Sequence, residues 1–173
     1  MRRKPRSGSR SDVQQAVESL VIDKLGRRWK TSLSAQRLEL APGIAVALDG
    51  YCRKGRRVTA VEVTAQLGHP KPAQQRKVLA DALKLALVRS SLRAKRLDVR
   101  AVIAFIDKAA LGWLQGQCWA ALACRTFGVE LEFVDVGAGA RARVRAARRR
   151  QDLTAKDRAS VARGRRQRLR VGA

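Results

Sequence analysis

IAVALDGYCRKGRRVTAVEVTAQLGHPKPAQQRKVLADALK, residues 44–84, holds carboxylates inside apolar β-type segments of a very basic chain. Its pattern reads as a hairpin followed by a helix. Residues 44–52 and 57–66 are β-branched and apolar enough for strands, and Lys54-Gly55 offers a two-residue turn between them. With Arg53 opposite Arg56, Asp49 faces Ala60 and Leu48 faces Val61. Side chains alternate across a sheet, so Asp49, Ala60, Glu62, Thr64 and Gln66 are predicted on one face, with Leu48, Val61 and Val63 on the other. Asp49 and Glu62 then become diagonal neighbours, roughly 7–8 Å apart at Cβ. At that spacing both carboxylates can reach one Mg²⁺ ion, which takes one or two carboxylates together with phosphate oxygens. The competing reading of the same alternation is a water-facing strand whose acids are solvated or paired with Arg57.

The charge around this hairpin is lopsided. The 173 residues carry a formal +24, of which residues 1–10 hold +5 and residues 141–173 hold +11. The expected organisation is a basic disordered arm at 1–10, a core at 11–137 and an arginine-rich tail at 138–173. Flanks of this kind bind polyanions, and nucleic acid is the most abundant polyanion a soluble protein meets. The three cysteines, Cys52, Cys118 and Cys124, have no metal-ligand spacing. With no secretory signal or membrane-length apolar run, they imply a reduced, cytoplasmic protein. His69 is the only histidine, which excludes a catalytic triad or a histidine pair. No glycine-rich phosphate loop or paired-cysteine zinc site is present.

Outward from the hairpin, Val13, Val17, Leu20, Val21 and Leu25 recur at helical spacing behind a Ser11-Asp12 cap, and Gly26 is expected to stop that helix. Residues 37–40 are predicted as a first strand. Trp29, among Arg27, Arg28 and Lys30, reads as a core cover in preference to a base-stacking platform. Pro72 opens a helix to about residue 89, with Gln74, Lys77, Asp81 and Lys84 along its polar face. Residues 101–106 form a continuous apolar run suited to a strand covered on both sides. A helix over 108–127 and a strand over 129–136 complete an α/β fold with a mixed central sheet, in the order α-β-β-β-α-β-α-β.

This succession, with Asp49 in the second strand and Glu62-Val63-Thr64 in the third, resembles the PD-(D/E)xK superfamily of restriction-endonuclease-like phosphodiesterases. The resemblance implies that Asp49 and Glu62 bind Mg²⁺ or Mn²⁺, with Glu18 as an extra carboxylate from the first helix. It also implies a lysine two residues beyond the glutamate, and here Thr64 stands in that place. Lys77 or Lys71 is the implied replacement, and Gln66 can orient water. The nucleic-acid contacts are expected from Arg53, Lys54, Arg56 and Arg57 of the hairpin, from Lys71, and from Arg148, Arg149 and Arg150 of the tail. The implied activity is metal-dependent hydrolysis of a phosphodiester in nucleic acid, with DNA the first expectation. The alternative is a non-catalytic nucleic-acid-binding protein on a degenerate nuclease fold; a structural role in a ribonucleoprotein is a third. No membrane attachment is expected, and pairing of the chain with itself as a homodimer is left open.

Overall fold

Residues 98–106 show why the chain folds as it does. Val99, Ala101, Ile103 and Phe105 enter one core, while Val102, Ala104 and Ile106 enter another on the opposite side. From Ala101 to Ile106 an apolar residue stands at every step, which suits a strand with helices over both faces. The structure, a computed structural model, describes residues 10–149. Helix α1 (Arg10–Arg28) precedes strands β1 (Ser34–Ala41), β2 (Ile44–Lys54) and β3 (Arg57–Thr64). Helix α2 (Pro72–Ala94), strand β4 (Asp98–Phe105), helices α3 (Lys108–Gln115) and α4 (Trp119–Phe127), and strand β5 (Val129–Phe133) follow. Residues 137–149 form a further helix, α5.

The sheet runs β1-β2-β3-β4-β5, antiparallel through β3 and parallel from β3 to β5. Val78, Leu85, Val88 and Leu92 of α2, with Leu111, Leu114 and Cys124 of α3 and α4, cover one face. Val17, Val21, Ile22 and Leu25 of α1 cover the other, joined by Ala140 and Val144 of α5. The segment beyond 137, assigned from sequence to a tail, therefore packs on the core at least as far as Val144. Arg150 lies outside the described residues. On α2 and α4, Leu83, Leu87, Trp119, Leu122 and Phe127 are exposed, and Leu83, Trp119 and Phe127 line one apolar cavity of about 300 Å³.

Three local expectations are corrected. Gly26 does not stop α1, which continues to Arg28. A Cβ at Gly26 would lie 2.8 Å from the Thr31 carbonyl oxygen, so glycine serves close approach there. The helix expected over 108–127 breaks into α3 and α4, with the Cys118 sulfur accepting from the Ala121 N–H at the new start. The hairpin turns on Gly55-Arg56, with Lys54 opposite Arg57 and Gly50 opposite Val61. This moves the register by two residues from the expected one, with Gly55 taking φ +60°.

The expected faces also change in β2. Between Ser34↔Tyr51 and Gln36↔Leu48 the register slips, because β2 carries one more residue than β1 in that interval. Such a bulge resets the alternation. Leu48 consequently joins the α2-side core with Ala60 and does not share a face with Val61 and Val63. Gly50 lies under α1, where an added Cβ would sit 2.5 Å from Ile22 Cδ1.

Candidate active site

Beyond the Gly50↔Val61 pair no further β2–β3 partners occur, and the two strands part into a fork. Asp49 closes one side of it. Its Oδ2 accepts the backbone N–H of Val63 at 2.8 Å, doing for β3 what a strand carbonyl would otherwise do. Lys84 of α2 closes the other side. Its ammonium donates to the Ala47 carbonyl of β2 at 3.1 Å and forms an ion pair with Glu62 Oε1 of β3 at 2.7 Å. The two carboxylates thus border one fork, Asp49 among residues facing α1 and Glu62 beneath α2. They are not the diagonal neighbours of a flat face that the expected register implied.

Helix α2 reaches the fork through residues spaced for one face, Lys77, Asp81 and Lys84. Lys77 donates to Asp81 at 2.7 Å, and Lys84 lies 3.6 Å from the other oxygen of Asp81. On the α1 side, Glu18 accepts from Gln14 Nε2 at 2.7 Å. Glu18 and Asp49 line a cleft of about 490 Å³ with Ile22 and Ser34.

Electrostatics mark the fork as unusual. Burial pushes the Glu62 carboxyl up to about 7; the charges of Asp49 and Asp81 push the same way, and Lys84 opposes them. Burial likewise raises Glu18, against the hydrogen bond from Gln14. Lys77 is held above its ordinary value, since burial alone would lower it but Asp81, Glu62 and Asp49 outweigh that effect. Glu62, Glu18 and Lys77 all feel the charges of Asp49 and Asp81, so the shifted groups belong to one electrostatic cluster around the fork.

A stability measurement follows from Glu62. Its folded carboxyl binds a proton more tightly than the ordinary 4.5 of an unfolded one. Between those two values the folded state holds more protons, so stability falls as pH rises from about 4.5 to about 7. The contribution is on the order of 3 kcal/mol. Urea titrations across that window are expected to show this fall in the wild type and to lose it in Glu62→Gln. An unchanged pH profile in the variant would contradict the assignment.

The remaining predicted site residues divide clearly. Gln66 and Lys71 line a cleft with Arg148 of α5, whose guanidinium donates to the Leu67 carbonyl at 2.9 Å. Arg149 is exposed. Arg53, Lys54, Arg56 and Arg57 are exposed at the hairpin tip, at the far end of β3 from Thr64, roughly 23 Å away by strand rise. Arg56 is further engaged, donating twice to the Arg96 carbonyl. The Trp29 ring is covered by the Arg100 guanidinium at 4.1 Å. His69 is exposed.

Lys84 is the fork residue that motif spacing did not single out as a site residue. Its signal was present in the polar face Lys77, Asp81, Lys84, but the implied replacement lysine was sought nearer to the third strand. Among the described residues no three Asp, Glu, His or Cys side chains form a ready metal cage. Asp49 and Glu62 nevertheless offer the hard oxygen donors that Mg²⁺ and Mn²⁺ use, where water and phosphate oxygens complete the shell. Among the described residues no helix is long and apolar enough to cross a membrane. Comparison of the chain with protein-family models, with curated proteins and with solved structures finds no match.

Proposed function

We propose that this chain is a metal-dependent phosphodiesterase acting on nucleic acid, DNA first, on a core similar to that of restriction-endonuclease-like enzymes. One observation carries the reading: two carboxylates and a lysine border the same fork of the sheet, in a protein of charge +24. Asp49 and Glu62 would hold Mg²⁺ or Mn²⁺, with Glu18 supplying a further carboxylate from the α1 side. The ion, when bound, lowers the pKa of water and offsets charge on the phosphoryl oxygens. Lys84 fixes the Glu62 carboxylate and brings positive charge to the place where the phosphate sits. Lys77 anchors Asp81, so that α2 presents a fixed polar face to the fork. The basic surface raises the local concentration of polyanion and makes binding salt-dependent.

A second reading, nucleic-acid binding without hydrolysis, is favoured by the Lys84 contact, which already compensates Glu62. Two measurements on the full chain separate them. Hydrolysis predicts nicking of plasmid or cutting of single-stranded DNA with Mg²⁺ or Mn²⁺, suppressed by EDTA. It also predicts calorimetric uptake of Mn²⁺ by the folded protein. Salt-sensitive DNA binding with no Mn²⁺ uptake and no cleavage would leave the binding reading alone.

A further inference from the structure

The C-terminal end of β3 opens into two adjoining cavities beside the fork, the nearer of which meets it at Val63 and Lys77. One, of about 290 Å³, is lined by Thr64, Gln66, Gln74 and Lys77. The other, of about 240 Å³, shares Gln14, Gln66 and Gln74 with it and continues past Leu67 to Lys71 and Arg148. Among the described residues no carboxylate lines either one. Thr64 is only 4% exposed, yet among the described residues its hydroxyl finds no hydrogen-bond partner, and neither does the Gln66 amide oxygen. A buried polar atom without a partner destabilises the free protein, so each such atom calls for an explanation.

The lining specifies a ligand with two kinds of surface. Amide and hydroxyl groups offer donors and acceptors together, which suits the edge of a heteroaromatic base better than a bare anion. Val13, Leu67, Val144 and Ala147 give apolar walls, as in pockets that hold an unstacked base. Lys71, Lys77 and Arg148 supply cations for a phosphate.

We propose that this paired cavity takes one unpaired nucleotide of a polynucleotide, with the base between α1 and α5 and its edge on Gln66 and Thr64. The phosphate lies against Lys71, Arg148 and Lys77. This rests on the nucleic-acid reading above, though not on hydrolysis. It gives the chain a preference for single strands, or for a duplex from which one nucleotide can swing out.

The test uses the full chain in EDTA and a fluorescein-labelled single-stranded 12-mer against its duplex at fixed salt. The single strand is expected to bind about tenfold tighter, on the scale of one stacked base. Gln66→Leu removes most of that preference. Thr64→Val weakens single-strand binding several-fold while raising the melting temperature of the free protein, a pairing of effects that a purely structural threonine would not give. Because the preference is read in EDTA, with no metal bound, a missing metal site and a missing nucleotide site are told apart. Equal binding of single strand and duplex overturns the proposal. So does wild-type single-strand binding by Gln66→Leu, a half-buried position that decides the matter even where Thr64→Val fails to fold.

Discussion

Asp49→Asn is expected to lower divalent-dependent cleavage by about 10²–10³-fold, the scale on which removing a stabiliser of developing charge acts, while leaving the fold intact. The reason lies in the double duty of this side chain. In the proposed site its carboxylate offers charge to a metal, and in the fold it accepts the Val63 N–H at 2.8 Å. The asparagine oxygen keeps the second role and loses the first. Asp49→Ala loses both, and leaves a strand N–H without its acceptor at a cost of about 1–3 kcal/mol. The two variants should therefore be equally poor in plasmid nicking but unequal in urea midpoint, Ala below Asn. Wild-type nicking by Asp49→Asn would remove Asp49 from the metal site, and equal midpoints would remove it from the strand pairing.

Lys84→Met is expected to be the most destabilising polar substitution at the fork. Glu62 has a side chain only 3% exposed, and Lys84, 25% exposed, is its ion-pair partner. Removing one member of a buried pair costs about 3–5 kcal/mol, since the other charge is left uncompensated. The sign of its pH dependence follows. Without the ammonium the Glu62 carboxyl rises further above about 7 and takes up a proton more readily. The loss should then be largest at pH 8 and shrink toward pH 5, where the glutamate is neutral in both proteins. Denaturant curves at the two pH values measure it. A loss independent of pH would mean that Lys84 acts by packing alone.

How far these features were readable in advance depends on which forces set them. The apolar run at residues 101–106 marked β4 because burial on both faces leaves no polar alternation. The hairpin was visible from its composition, but its register was not. One glycine can occupy either place in a two-residue turn, and placing Gly55 first in place of second moved every β2–β3 pair. The bulge that sends Leu48 to the α2 side had a faint signal in Gly50, since glycine inside a strand marks a bulge or a close neighbour. The carboxylates themselves were identified from their place in apolar strands. Their true arrangement, bordering a fork and not diagonal on a face, depends on α1 and α2 pressing from both sides, which no local pattern encodes. Lys84 shows the same limit: its helix face was legible, but the partner it meets on β3 is a tertiary fact.

The exposed apolar side chains of Leu83, Leu87, Trp119, Leu122 and Phe127 bear on how the protein behaves in the tube. In dilute buffer, mutual repulsion between molecules of charge +24 opposes contact between these apolar side chains. Molar salt, the usual means of stripping bound polyanion during purification, shrinks the screening distance to about 3 Å and removes that protection. Washing the preparation clean and keeping it dispersed are thus opposed demands, and moderate ionic strength with a low protein concentration is where both are met.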